Sequence, residues 1–245
     1  MEDAFLEKNE KKERVWELDA FRGIFILFMI AIHTIFDLTE LFGKNIRLPE
    51  IYSLLKENGA LLFILLSGIC VTLGRRSLRR GAVVFGCGML ITLTMFFLAK
   101  TDGVFEGEQI YFGILHLLGV SMMLYPLFRP LPLWAKALAA AVFIGPGFYF
   151  QTLQSSFFPA LVLGIKPKGF SSGDYFPLFP NFGWFLAGAV IGGTVYKNKK
   201  SLFPRFPAQI APMRFLRFCG RHSLWIYLLH QPIIFGVLYV FTAKA

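Results

Sequence analysis

The chain has 245 residues, of which 56% are hydrophobic and 16% charged, and it carries a formal net charge of +10. With a mean hydropathy of +0.59, this composition excludes a soluble globular domain. The positive charge does not indicate a nucleic-acid-binding protein, because the basic residues lie in alternate loops rather than on one solvated surface.

Seven apolar segments approach the ~20 residues that cross ~30 Å of hydrocarbon. They predict a single all-α domain over residues 1–245, a polytopic membrane helix bundle with about seven transmembrane helices. The predicted spans are about 18–38, 58–74, 81–99, 110–128, 132–150, 182–197 and 223–242. The second and sixth spans are short, so they need flanking residues or local bilayer thinning to cross.

The basic residues predict the orientation of this bundle. Four segments, 8–22, 75–80, 129–136 and 197–221, contain 18 of the 25 lysines and arginines and fall on one predicted side. The positive-inside rule then places the amino terminus in the cytoplasm and the carboxyl terminus outside the plasma (inner) membrane. The first apolar run is longer than a 7–15-residue signal core and lacks a small-residue cleavage pattern, which favours a retained signal anchor.

The first span carries four ionisable residues on one face. Arg22 and His33 are eleven helical steps apart, three turns plus about 20°, so their side chains align with ~16 Å of rise between them. Asp19 and Asp37 fall within about 40° of His33 on the same stripe. Ionisable residues are expensive inside a membrane, so this stripe is a candidate functional site.

Two later spans also contain histidines. His116 lies near the outer end of the fourth span, at a depth similar to that of His33, so the two could line one cavity. On the seventh span, Tyr227 and His230 share one face with Gln231 beside them, and His230 is predicted to lie closer to the cytoplasm than His33. For His33 and His116 the alternative is a buried imidazole bonded to a backbone carbonyl, and His230 either grips the donor arm or fixes neighbouring helices.

The longest outer segment, 151–181, contains an apolar stretch over 155–165 that is too short to span the membrane. This stretch is either a cover over a substrate site or a passive interfacial loop. Asp174, in the same segment, is a candidate for substrate contact or for capping the sixth span. The three cysteines and four histidines have no spacing typical of a disulfide framework or a metal site, so we predict no bound metal.

Four motifs carry a resemblance to a known family. The run Asp19-Ala-Phe-Arg-Gly followed by His33 resembles the Arg-x10-His signature of integral-membrane acyltransferases of the acyltransferase-3 type. Three further runs, 111–116, 174–180 and 223–232, resemble the catalytic-domain family of heparan-alpha-glucosaminide N-acetyltransferase. Together the four motifs extend over most of the chain.

This resemblance implies an enzyme that moves an acyl group, in the first instance acetyl, from cytoplasmic acyl-coenzyme A to a hydroxyl or amine of an extracytoplasmic sugar or glycan. From their positions and chemistry, the candidate catalytic residues for such a reaction are His33, Asp37 and His116. The candidate donor-binding residues are Arg22, Arg75, Arg76, Arg79, Arg80, Tyr227 and His230. The candidate acceptor-binding residues are Asp174 and Gln231. Relatives of this type usually carry more spans, so a second copy or another partner within the lipid bilayer could complete the site.

The sequence allows two roles for several of these residues. An imidazole oriented by Asp37 could act as a general base toward the acceptor, or it could attack the thioester and carry the acyl group itself. The arginines in the 75–80 loop are suited to binding the phosphates of coenzyme A, but they also serve as topology signals, and Arg22, paired with Asp19 one turn earlier, could be an interfacial anchor. Asp37 could equally be a solvated interfacial residue.

A different class of protein fits part of the pattern. Histidine and arginine inside a membrane also occur along the substrate path of a small transporter or a carrier of organic anions. Transporters are often built from inverted repeats, and the sequence shows no convincing internal repeat. The enzyme is therefore the favoured interpretation.

Overall fold

The computed structural model describes residues 14–44, 50–101 and 108–242. Numbered in chain order, helices α1 to α9 are Trp16–Phe36, Glu50–Leu73, Ser77–Thr101, Ile114–Phe128, Leu133–Phe150, Ala160–Leu163, Leu178–Val195, Ala211–Arg221 and Ser223–Thr242. The basic residues before Arg14, together with Arg47 and Lys244, lie outside the described residues and contribute to the predicted orientation from sequence alone.

The predicted all-α membrane bundle is confirmed. Five of the described helices, α1, α3, α5, α7 and α9, are long and apolar enough to cross a membrane. Two shorter apolar helices, residues 58–73 of α2 and the whole of α4, correspond to the other two predicted spans. These seven helices match the seven predicted segments in order.

The centre of the bundle is α7, which packs between α2 and α5. Phe182, Phe185 and Leu186 of α7 are fully buried and pack with Ile64 of α2 and Leu117 of α4. The α3 and α4 helices form a second close pair, and α1 packs against both α2 and the short helix α8. The stripe on α1 therefore faces elements from both ends of the chain.

Glycines allow α7 to approach α2 at backbone distance. A Cβ at Gly188 would collide with the carbonyl of Leu65, and one at Gly68 would collide with the carbonyl of Phe185. Because these obstacles are backbone atoms, a side-chain rotation cannot relieve them. The small residues of the sixth predicted span thus serve helix packing.

Two features differ from the predicted spans. The fourth helix begins at Ile114 rather than near residue 110, because the preceding backbone is extended and Phe112 accepts a hydrogen bond from the backbone N–H of Phe176 at 2.8 Å. The outer segment therefore pairs with the chain just before α4. Helix α8 lies in a stretch predicted as a loop, where it packs against α1.

We expect the Gly188→Ala substitution to destabilise the bundle by about 1–3 kcal/mol, the usual cost of overpacking a filled core. Thermal unfolding in detergent should show a lower midpoint. Gly86→Ala is the matched control, since a Cβ at Gly86 on α3 meets nothing within 4 Å. Equal midpoints for the two variants would contradict the close α2–α7 contact.

Candidate functional site

Two histidines from opposite ends of the chain meet in the bundle. The rings of His33 on α1 and His230 on α9 are in edge-to-face contact, with their centroids 5.0 Å apart. The prediction that His230 lies closer to the cytoplasm than His33 is therefore wrong. Counting residues from the predicted start of each span does not give the relative depth of side chains on two helices, because packing contacts between distant residues set how far each helix is displaced along its axis.

The hydrogen bonds of His230 fix its tautomer. Its Nδ1 lies 2.6 Å from the carbonyl oxygen of Tyr227, and a carbonyl can only accept, so Nδ1 carries the proton. The other nitrogen, Nε2, is buried without a hydrogen-bond partner in the described part of the chain. Within that part, no hydrogen bond is made by the ring of His33 either. The pair thus leaves imidazole nitrogens available to a substrate.

Asp37 and Gln231 lie one step outward from this pair. The amide nitrogen of Gln231 donates to both carboxylate oxygens of Asp37, at 2.9 and 3.0 Å. Asp37 is fully buried, and the Oε1 atom of Gln231 is buried without a hydrogen-bond partner among the described residues. The predicted orientation of His33 by Asp37 is not found among the described contacts, because the amide from α9 takes both oxygens of the carboxylate.

A second polar cluster lies where the outer segment reaches α4 and α9. One carboxylate oxygen of Asp174 accepts from the backbone N–H of Ile114 at 2.9 Å and from the hydroxyl of Tyr227 at 3.5 Å. Asp174, Tyr227 and His116 line one small cavity together with Gly88 and Gly113. This cavity holds no more than about one water molecule.

His116 is held by its surroundings on both ring nitrogens. Its Nδ1 accepts from the backbone N–H of Gly113 at 3.2 Å, so the proton sits on Nε2, which lies 3.4 Å from the hydroxyl oxygen of Thr92. That hydroxyl donates to the carbonyl of Ile110 at 2.7 Å. His116 therefore caps the start of α4. The expectation that it shares a cavity with His33 is not met, since the described cavity beside His116 is lined by Asp174 and Tyr227.

Tyr227 connects the two clusters. Its hydroxyl reaches Asp174, and its backbone carbonyl accepts from His230 one helical turn later. The sequence assigned Tyr227 to the donor at the cytoplasmic end, but the structure places its side chain against the outer segment. One stretch of α9, residues 227–231, thus contacts Asp174, His33 and Asp37.

At the other end of the stripe, Asp19 pairs with Arg221 of α8 at 3.2 Å and not with Arg22 as predicted. The Arg22 and Arg80 charges lie close enough to act on each other and on the buried thiol of Cys70. Neither arginine pairs with a carboxylate in the described residues. The other predicted donor residues of this loop, Arg75, Arg76 and Arg79, take no part in that grouping.

Sequence reasoning missed three members of these clusters. Thr92 completes the hydrogen bonds of His116, Cys70 lies beside Arg22 and Arg80, and Arg221 takes the carboxylate of Asp19. A hydroxyl and a thiol are ordinary residues in a membrane helix, so only their neighbours distinguish them. Across the described ranges no group of His, Cys, Asp or Glu is arranged to hold a metal ion.

Burial raises the pKa of Asp174 to about 6, and the hydrogen bonds from Ile114 and Tyr227 offset this only in part. An acid whose pKa is higher in the folded state stabilises the fold when protonated. We therefore expect stability to be greatest below about pH 4 and to fall by up to about 3 kcal/mol as the pH rises through 6.

The Asp174→Asn variant should lack this loss, because the amide does not titrate. Unfolding of both proteins between pH 4 and 7.5 gives the comparison, in which the difference between them isolates Asp174 from other titrating groups. If the free energies of unfolding of the two proteins change in parallel with pH, the Asp174 carboxyl does not titrate with a raised pKa.

The family model described as heparan-alpha-glucosaminide N-acetyltransferase, catalytic, matches residues 14–232, which include both histidine clusters and the arginines beside Cys70. Neither the curated proteins nor the solved structures gave a match. Since the match extends over most of an apolar helix bundle, this integral membrane protein belongs to the heparan-alpha-glucosaminide N-acetyltransferase catalytic-domain family of membrane acetyltransferases.

Proposed function

We propose that this protein transfers an acyl group, acetyl in the first instance, from cytoplasmic acyl-coenzyme A to a hydroxyl or amine of an extracytoplasmic sugar or glycan. The observation that carries this proposal is the contact between the rings of His33 and His230 inside an apolar bundle, where the Nε2 atom of His230 is buried without a hydrogen-bond partner among the described residues. Such groups are costly to bury, and chemistry on a substrate is a reason to retain them.

His33 is the proposed acid–base residue. As the acceptor nitrogen or oxygen attacks the thioester carbonyl, His33 takes its proton and then returns it to the departing thiolate of coenzyme A. In the covalent alternative, His33 attacks the carbonyl first, forms an acyl-imidazole with release of the thiol, and then passes the acyl group to the acceptor. Both routes need a ring nitrogen that is free to react, and among the described residues the ring of His33 has no hydrogen-bond partner.

His230 supports either route from the facing helix. Its protonated Nδ1 is committed to the Tyr227 carbonyl, so its Nε2 has a free lone pair beside the ring of His33. A lone pair at this position stabilises an N–H or a positive charge on its neighbour. Asp37, held by Gln231 one turn further out, adds negative charge near the pair.

The donor is proposed to bind at the opposite end of the stripe. Arg22 and Arg80 form a cationic pair without a carboxylate partner in the described residues, which suits the phosphate groups of coenzyme A. The thioester arm would follow α1 over the ~16 Å of rise from Arg22 to His33. The proposed orientation, with the amino terminus in the cytoplasm and the carboxyl terminus outside, lets the donor bind from the cytoplasm.

The acceptor is proposed to enter from the outer side, where Asp37 and Gln231 lie. Gln231 retains a buried, unpartnered Oε1 that can accept a hydrogen bond from a sugar hydroxyl or amide. Asp174 is proposed to contact an amino sugar, with Tyr227 orienting its carboxylate. A second copy of the chain is proposed to shield the apolar outer surfaces of α3 and α9 from lipid, which would give a homo-oligomer.

We expect His33→Ala to lower acyl transfer by ~10²–10⁴-fold, the usual contribution of a general base. Turnover of acetyl-coenzyme A by the purified protein, with a panel of amino sugars, provides the measurement. Asp37→Asn should lose less, since Asp37 acts only through its charge and its bond to Gln231. Thr34→Ala is the matched control, because the Thr34 hydroxyl bonds only the carbonyl of Ile30 in its own helix.

Donor binding should be unchanged in His33→Ala, so binding and unfolding are measured on the same preparations. If this variant keeps near wild-type turnover, His33 is not the catalytic residue. If His33→Ala loses organic-anion uptake in proteoliposomes but keeps its acyl-transfer turnover, the result would instead support a carrier of organic anions.

We expect Arg22→Gln/Arg80→Gln to weaken coenzyme A binding by at least about tenfold, in line with the loss of two charge-assisted hydrogen bonds. Arg75→Gln/Arg76→Gln removes the same number of charges from the turn before α3 and should change binding less. Calorimetric titration at two ionic strengths tests both, because phosphate contacts weaken with salt. Equal affinities of the two double variants for coenzyme A would show that Arg22 and Arg80 do not bind the donor and act only as topology signals.

A further inference from the structure

The segment between α7 and α9, residues 197–222, has a composition unlike the rest of the chain. It contains seven lysines and arginines, and no aspartate or glutamate occurs anywhere after Asp174. We call this stretch the basic segment. It lies at the face of the bundle where α1 begins and α7 ends, since Glu17 accepts from the Ser201 hydroxyl at 2.8 Å and from the Leu202 backbone N–H at 2.7 Å.

Most charges of the basic segment have no counter-charge. Arg221 pairs with Asp19, and Arg217 donates to the carbonyl of Ala208. The other five are exposed, and in the part of the chain that the structure describes none pairs with a carboxylate: Lys197, Lys199, Lys200, Arg205 and Arg214. A surface with this many free cations needs anions supplied from outside the chain.

Apolar side chains are interleaved with these cations. Phe215 and Phe218 of α8 are exposed by 56% and 58%, and they lie on the face next to the arginine stripe formed by Arg214 and Arg221. The loop before α8 adds exposed side chains from Leu202, Phe203, Phe206 and Ile210. An arginine stripe beside a phenylalanine stripe is typical of helices that lie in the membrane interface.

The protein holds this segment rigidly against α1. A Cβ at Gly220 would collide with the carbonyl of Asp19, and one at Gly23 would collide with the carbonyl of Leu216. Trp16 stacks on Phe206 with ring centroids 5.0 Å apart. The cations and phenyl rings are therefore presented in a fixed arrangement at the rim of the bundle.

We propose that the basic segment is a binding surface for anionic phospholipids, with Lys197, Lys199, Lys200, Arg205 and Arg214 contacting the headgroup phosphates and Phe215 and Phe218 inserted among the acyl chains. A nucleic acid or an acidic protein would satisfy the cations but would leave the phenylalanines in water. A lipid with a negative headgroup satisfies both. The proposal goes beyond acyl transfer and does not depend on it.

The test uses the full-length protein in phosphatidylcholine nanodiscs that contain a trace of spin-labelled phosphatidylglycerol or spin-labelled phosphatidylcholine. Electron paramagnetic resonance gives the fraction of each lipid that is immobilised on the protein. We expect the wild type to retain phosphatidylglycerol several-fold better than phosphatidylcholine at low salt, and less so at 0.5 M NaCl as the charges are screened.

Arg205→Gln/Arg214→Gln should bring the retention of phosphatidylglycerol down to about that of phosphatidylcholine, because one basic residue near an anionic membrane surface contributes about fivefold. Lys100→Gln/Arg129→Gln removes the same charge elsewhere and should keep the preference within about twofold. Inorganic phosphate and acetyl-coenzyme A, added separately, should not release the immobilised phosphatidylglycerol.

Three results would overturn the proposal. Equal retention of the two lipids by the wild type would show that the surface does not select a charged headgroup. Equal losses in the two double variants would assign any preference to net charge alone. Displacement of the lipid by acetyl-coenzyme A, but not by phosphate, would assign the segment to the donor, an outcome that leaves the acyl-transfer proposal intact.

Discussion

The structure depends on the cost of leaving a polar group unpaired in an apolar bundle. Water is scarce there, so a buried polar side chain is costly unless it forms hydrogen bonds within the protein or with a bound substrate. Residues 227–231 of α9 contact three polar side chains outside their own helix. The Tyr227 hydroxyl and the Gln231 amide donate to Asp174 and Asp37, and the His230 ring contacts the ring of His33.

The same constraint separates His116 from the two histidines that we propose to act on the substrate. The two ring nitrogens of His116 interact with the Gly113 backbone N–H and the Thr92 hydroxyl. These hydrogen bonds offset the free-energy cost of burying the ring. His33 and His230 keep nitrogens that the described chain does not match. A site that binds a substrate needs polar groups that have no hydrogen-bond partner in the protein. A side chain that caps a helix needs such a partner.

Backbone contact at glycine sets the geometry that brings the pair together. Gly23 and Gly220 let α8 lie directly on α1, and the Asp19–Arg221 ion pair closes that contact. The α8 helix leads at once into α9, so its position decides which turn of α9 faces His33. The basic segment that surrounds α8 is thereby linked to the proposed catalytic pair through a rigid helix contact rather than through a flexible loop.

The sequence alone determined the class of protein and the order of its spans, because hydrophobic runs of membrane length have few alternatives to crossing helices. It also predicted that the polar stripe with Arg22, His33 and Asp37 is a candidate site, since helical periodicity places these residues on one face. The motifs shared with the acetyltransferase family are local in sequence, so they too were visible without a structure.

Only the tertiary structure decided which of these residues meet. Depth counted along each span placed His33 beside His116, but in the structure the ring of His33 contacts the ring of His230 instead. Asp37 bonds Gln231 and not His33, and Asp19 pairs with Arg221 and not Arg22. The partners found are 194 and 202 positions away in the sequence. Helical periodicity specifies the face of one helix, whereas the height and rotation of its neighbours follow from packing contacts between residues distant in sequence.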